Sequence, residues 1–177
     1  VYHADLPICA DMSEFTQALD LWDEPDLLPY GAGAEAHGDY LAWTEPSPRD
    51  GVTLDLGPCM GLLRERLPAD TIVCNGAGNF SGWVHRYWRY AGMPSQLAPT
   101  SGSMGYGLPA AVAAALRFRD RQVLCVAGDG DFLMNGQELA TAAQYGAELL
   151  VIVVDNSSYG TIRMHQERDY PERLSAT

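Results

Sequence analysis

Several familiar chemistries are missing from this sequence. No apolar run approaches the roughly 20 residues of a membrane-spanning helix, and Leu149 to Val154 is far too short for one. The four cysteines, Cys9, Cys59, Cys74 and Cys125, have no C-x-x-C spacing, and no His pair has zinc-helix spacing. No Ser-His-Asp or Cys-His arrangement can be assembled. A G-x-x-x-x-G-K-[ST] motif is absent, which argues against a P-loop nucleotide enzyme. Positive charge is scarce: 11 Lys and Arg stand against 23 Asp and Glu, a net charge of −12. Such a chain repels a phosphate backbone, so nonspecific nucleic-acid binding is excluded. Trp83, His85, Arg86, Tyr87, Trp88 and Arg89 therefore read as a packed helix and not as a nucleic-acid patch. Cys74 and Cys125 sit in apolar runs, where a reduced, buried thiol and a cytoplasmic compartment are expected. No signal-peptide pattern follows Val1, and the start at Val1 predicts a piece of a longer chain or a processed product.

What remains is enough for one core. At 177 residues and 47% hydrophobic, the chain suits one α/β domain with an appendage. The most informative stretch runs from Val123 to Gly160. An apolar run, Val123 to Ala127, breaks at Gly128-Asp129-Gly130; a helical pattern follows from Asn135 to Tyr145 and stops at Gly146; a second apolar run, Leu149 to Val154, ends at Asp155-Asn156. This is the pattern of a βαβ unit with parallel strands. Such a crossover puts the Asp129 and Asn156 turns at the same edge of the sheet. A carboxylate, an amide oxygen and nearby main-chain carbonyls then meet at one point, a donor set that suits Mg2+. The flanking glycines let a phosphate approach main-chain N–H groups, and a bound Mg2+ would offset the acidic surroundings. The expected fold is an α/β, doubly wound, mostly parallel sheet with helices on both faces, flavodoxin-like in style.

Elsewhere the signals are thinner. Ser13 is expected to cap a short helix whose Phe15, Ala18, Leu19 and Trp22 share a face. Pro25, Pro29, Gly31, Gly33, Gly38, Pro46 and Pro48 predict an irregular connector, with Tyr30, Tyr40 and Trp43 pinning it to a surface. A helix carrying Met60, Leu62, Leu63 and Leu67 is expected after Gly57, then a strand from Thr71 to Cys74 entering the glycine-rich turn Asn75-Gly76-Ala77-Gly78-Asn79. That turn is a second candidate phosphate cradle. Thr100 to Ala115 offers a bare backbone at Gly102, Gly105 and Gly107, then an Ala-rich helix with Pro109 in its first turn. Asn135 and Glu138 read as a capping pair for the central helix. His165 and Gln166 are expected on an exposed helix face.

These residues resemble the signature of thiamine diphosphate-dependent enzymes, Gly-Asp-Gly followed after a set interval by Asn-Asn, with Asp155 here in place of the first Asn. The segments SGSMGYGLPAA and SYGTIRMHQER are most similar to acetolactate synthase-like proteins and 2-keto acid decarboxylases. The resemblance implies the diphosphate-binding domain over 51–177, truncated at its C-terminal end, and a tail of a preceding central domain plus linker over 1–50. It implies thiamine diphosphate and Mg2+ as cofactors, with the metal held by Asp129, Asn156 and the Ser158 carbonyl. Asn75, Gly76, Gly78, Asn79, Gly128, Gly130, Asp131, Tyr159 and Gly160 would bind the diphosphate side. At the reacting end, catalysis would draw on the Gly102 carbonyl, facing the aminopyrimidine, and on Met104, wedged between the two rings. The substrate class implied is a 2-keto acid, leading to decarboxylation or to a 2-hydroxy ketone. A Glu at the pyrimidine would come from a pyrimidine-binding domain of another subunit in a homo-oligomer, so the chain alone is expected to be inactive. Two other readings stay open: a split-enzyme or non-catalytic diphosphate-binding subunit, and a plain nucleotide-binding Rossmann domain.

Overall fold

The computed structural model describes residues 3–21 and 32–177. The chain divides into two compact units, Val1–Tyr40 and Leu41–Thr177. In the first unit, α1 (Met12–Asp20) is capped by Asp11, whose carboxylate accepts the Glu14 N–H at 2.9 Å. Ser13, the expected cap, lies inside the helix and its hydroxyl accepts from the Gln17 amide at 3.3 Å. Trp22, Pro25, Pro29, Tyr30 and Gly31 fall outside the described residues, as do Val1 and Tyr2. The connector expected up to Asp50 is in part a helix, α2 (Ala32–Trp43). Gly33 and Gly38 weaken it, but Ala32, Ala34, Glu35, Ala36, Leu41 and Ala42 favour a helix and no proline interrupts it.

The sequence boundary at 50/51 falls within the second unit, which begins at Leu41. Arginines hold residues 41–45 to it. Arg64 donates to the Thr44 and Tyr87 carbonyls at 3.2 and 3.0 Å, Arg89 donates to the buried Thr44 hydroxyl at 2.9 Å, and both reach Glu45.

Four parallel strands form the sheet of this unit: β1 (Ile72–Asn75), β2 (Gln96–Leu97), β3 (Val123–Gly128) and β4 (Leu150–Val154), in spatial order β2-β1-β3-β4. β1 and β3 are buried along their whole length, as expected of parallel strands covered on both faces. Side-chain alternation then sorts the core into two layers. Ile72, Cys74, Val123, Cys125 and Ala127 face α5 (Gly107–Arg117) and α7 (Glu138–Tyr145). Val73, Leu124 and Val126 face α3 (Leu56–Arg66) and α4 (Ser81–Tyr87) through Met60, Val84 and Trp88. Each large apolar side chain buried in this way contributes about 1.5–3 kcal/mol. β4 lies at the edge, and its Leu150 and Val153 are exposed.

The central helical pattern is not one helix. α6 (Asp129–Asn135) starts directly after β3, and α7 follows after Gly136-Gln137. Asn135 is the last residue of α6 and not a cap, while Glu138 accepts from Thr141 at 2.8 Å. Gly146 ends α7 in the left-handed region, φ +61°, the conformation that glycine permits there. The last helix is α8 (Gly160–Asp169).

Two predictions test this packing. Cys74 and Cys125 face each other across β1 and β3, and burial pushes each thiol up to about 12. In the native chain both should resist iodoacetamide at pH 8 and react once denaturant is added, as read by mass spectrometry; rapid native labelling of either contradicts the core assignment. Asp55 caps α3 through the Gly57 N–H at 3.1 Å and accepts from Arg49 Nε and Nη2, each at 3.0 Å. The Arg49 hydrogen bonds, ahead of the Gly57 N–H, hold its carboxyl below the ordinary range. A depressed folded value means stabilisation present above the unfolded value and lost as pH falls through the folded one. Asp55→Asn should therefore have a lower urea midpoint at neutral pH, with the gap closing as the pH is taken down past the ordinary Asp range. A gap independent of pH contradicts the pairing.

Candidate cofactor site

At the carboxyl edge of the sheet three turns meet: 75–80 after β1, 128–131 after β3 and 155–160 after β4. With Met104 from the loop before α5 they line a cleft of about 850 Å3, whose other wall is apolar and built from Leu56, Met60, Leu63 and Trp83. Strand register produces the meeting. Gly128 pairs with Val154, so Asp129 and Asp155 emerge side by side, and the Asp129 side chain lies against that of Asp155.

Asp155, the departure from the Asn pair, organises the turn after β4. Its Oδ1 accepts the Ser157 N–H at 2.7 Å and the Ser157 hydroxyl at 3.0 Å, and these bonds, with a smaller contribution from Asp129, hold its carboxyl below the ordinary range. Ser157 consequently adopts φ +51°, an unfavourable region for a residue with a Cβ. One residue on, the Asn156 Oδ1 accepts the Ser158 N–H at 3.2 Å, and the Ser158 carbonyl accepts the Gly160 N–H at 2.8 Å. Each of these oxygens keeps a second lone pair for a metal. The Ser158 hydroxyl is buried with no hydrogen-bond partner, in the wall of the cleft. Nor is there room for side chains between the turns. A Cβ on Gly130 would lie 2.6 Å from the Tyr159 ring, and one on Gly76 would lie 1.9 Å from an Asp131 carboxylate oxygen.

Among the described residues no three His, Cys, Asp or Glu side chains form a metal-holding group. A divalent ion here has to draw on an amide oxygen and a main-chain carbonyl beside Asp129, which is a hard, oxygen-only set of the kind Mg2+ takes. The residues present fit a metal-bridged diphosphate: carboxylate and carbonyl oxygens at one side, an orphaned hydroxyl, and a floor without side chains.

Most of the expected site residues lie at this cleft. Asp129, Gly130, Asp131, Met104, Asn156, Ser158, Tyr159, Gly160, Gly78, Asn79 and Gly128 all line the cleft. Asn79 also accepts the Thr161 hydroxyl at 3.0 Å, tying the β1 turn to the start of α8. Gly102 is exposed in the neighbouring loop with φ +70°. Two of the expected side chains are almost wholly buried. Asn75 is 1% exposed, donates to the Gly76 carbonyl at 2.9 Å and accepts from Gln96 at 3.3 Å. Asp131 is 3% exposed and accepts the Gly105 and Ala77 N–H groups at 2.7 and 3.3 Å. Burial pushes the Asp131 carboxyl up, against the pull of those N–H groups. Of the two α8 residues considered, His165 is exposed and Gln166 pairs with the Ser175 main chain at 3.0 and 3.2 Å. Thr161, Gln96 and the turn role of Asp155 were not foreseen. Nothing local marks the first two, since their partners lie 82 and 21 residues away.

Comparison with known proteins follows the same outline. The chain is 40% identical over 111 residues to the acetolactate synthase large subunit of Parasynechococcus marenigrum, covering 63% of this chain and 18% of that protein. It is 33% identical over 141 residues to the acetolactate synthase isozyme 2 large subunit of Escherichia coli, covering 78% of this chain and 25% of the relative. A solved structure, the thiamine diphosphate-dependent 4-hydroxybenzoylformate decarboxylase of Rhodococcus jostii, superposes with a TM-score of 0.68 at 31% identity over 75% of this chain and 25% of that one. The chain thus spans at most about a quarter of the length of these relatives. Residues 76–177 match the family described as thiamine pyrophosphate enzyme, C-terminal TPP binding domain, and the chain belongs to that family.

Proposed function

We propose that this chain binds thiamine diphosphate through Mg2+ as the diphosphate-binding part of an enzyme acting on 2-keto acids, by acetolactate synthase-like carboligation or by decarboxylation. The observation that carries the reading is the adjacency of Asp129 and Asp155 at the ends of paired strands, with Asn156 and the unpartnered Ser158 hydroxyl in the same cleft. Asp129, the Asn156 amide oxygen and the Ser158 carbonyl hold the ion. Main-chain N–H groups at Gly130 and Tyr159 face the phosphates, while the Gly160 N–H is held by the Ser158 carbonyl. The Gly102 carbonyl and Met104 orient the rings, and the apolar wall of Leu56, Met60, Leu63 and Trp83 keeps water away from the reacting end. The cofactor, when bound, supplies the electron sink for cleavage beside the keto-acid carbonyl.

The family resemblance implies a Glu at the pyrimidine supplied by another domain, so a pyrimidine-binding domain of another subunit is part of the proposal. Leu133 and Met134 on α6, Leu139 on α7 and Tyr106 at the start of α5 are exposed, and their burial would support such an interface. Among the described residues no helix is long and apolar enough to cross a membrane. Four free thiols suit a reducing, cytoplasmic setting.

Calorimetry with thiamine diphosphate and Mg2+ should show Asp129→Ala binding at least about tenfold more weakly than the native chain, the loss of one charged ligand. Equal heats would undo the metal assignment. The chain alone should turn over no 2-keto acid; clear decarboxylation would refute the need for a partner. Ser158→Ala removes a buried hydroxyl that has no partner, so thermal melts without ligand should show a gain of up to about 1 kcal/mol, with a smaller stabilisation on adding Mg2+ and thiamine diphosphate. A lower melting temperature without ligand would mean that the hydroxyl already serves the fold.

A further inference from the structure

We propose that Asp131 and Asn135 are positioning residues that clamp the peptide groups of Gly105 and so set the loop 101–106 for the pyrimidine end of the cofactor. The two lie four residues apart on α6 and therefore share one face of the helix. Asp131 Oδ1 accepts the Gly105 N–H at 2.7 Å, and the Asn135 side-chain amide donates to the Gly105 carbonyl at 2.7 Å. Both main-chain polar groups of a single loop residue are thus taken by one helix.

Backbone geometry makes the clamp specific. Gly105 has φ +82°, and a Cβ there would lie 2.7 Å from the Asn135 amide nitrogen and from the Met134 Cβ. No other residue type fits without moving α6 away from the loop. The same Asp131 oxygen also accepts the Ala77 N–H at 3.3 Å, and Gly76 has no side chain to block it. One buried carboxylate therefore locks the turn after β1 to the loop before α5. Three residues upstream of Gly105 is Gly102, one residue upstream is Met104, and two residues upstream of Asp131 is Asp129. The metal end and the ring end are consequently fixed to the same short helix, and their spacing is set within this chain.

The ligand named here rests on the function proposed above; the clamp does not. Two measurements separate them. Hydrogen exchange of the 177-residue chain, without ligand and followed by mass spectrometry, should show 100–107 exchanging about tenfold faster in Asn135→Ala and faster still in Asp131→Ala. β3 should stay as protected as in the native chain. Unchanged exchange at 100–107 in both variants overturns the clamp; acceleration that extends into β3 shows a general folding role and overturns it equally. Calorimetry then compares Mg2+ with inorganic diphosphate and Mg2+ with thiamine diphosphate. Asn135→Ala should leave diphosphate binding as it is and weaken thiamine diphosphate about tenfold, because only the second ligand reaches the loop. Equal losses for both ligands, or no loss for either, overturn the ring-end role. A native chain that binds neither ligand defeats the proposed function and the ring-end role together, while exchange still decides the clamp.

Discussion

Parallel pairing of β3 with β1 on one side and β4 on the other is the constraint on which the rest depends. Parallel strands force a crossover between each pair, and every crossover returns the chain to the same edge. The register Cys74 to Cys125, and Gly128 to Val154, then decides which residues meet there. A slip of one residue in β4 would move Asp155 away from Asp129 and turn Ile152 and Val154 out of the α3–α4 layer. The core and the cleft are therefore specified by one hydrogen-bond ladder.

At that edge the chain uses main chain in place of side chains. Gly76, Gly105 and Gly130 are sites where an added Cβ would collide with Asp131, with Asn135 and Met134, or with Tyr159. The polar side chains that remain mostly hold loops: Asn75 to Gly76, Asp131 to Gly105 and Ala77, Asp155 to Ser157, Thr161 to Asn79. Local stability is surrendered in return. Ser157 sits at a positive φ, the Ser158 hydroxyl has no partner, and Asp129 touches Asp155. Backbone strain such as that at Ser157 persists only where the surrounding structure over-determines it, and it clusters at ligand-binding sites. An acidic chain of net charge −12 can host a diphosphate on the same reasoning, provided a divalent ion sits between.

Much of this was legible in the sequence where long-range packing and local pattern agree. β1, β3 and β4 carry unbroken apolar runs and their turns carry glycine, so the sheet, its parallel sense and the meeting of the Asp129 and Asn156 turns could be read directly. α3, α5 and the Gly146 stop were equally plain. The failures have physical causes. β2 is two residues long and has no apolar run to announce it. α2 was hidden by its two glycines. Asn135 has the right spacing for a cap, yet the helix begins six residues earlier, at Asp129, so its amide is free for Gly105. The hydrogen bonds that Asn75 and Asp131 make to the main chain are not legible either, because polarity in a glycine-rich turn does not say which way a side chain points.

Asp129 and Asn156, far apart along the chain, are proposed to share one divalent ion. The most direct test is a crystal of the chain grown with thiamine diphosphate and Mn2+ in place of Mg2+, with the ion located by its anomalous scattering. A single ion is expected about 2.1 Å from an Asp129 carboxylate oxygen, the Asn156 amide oxygen and the Ser158 carbonyl. An ion bound elsewhere, with the Asp129 and Asn156 oxygens facing apart, would contradict it.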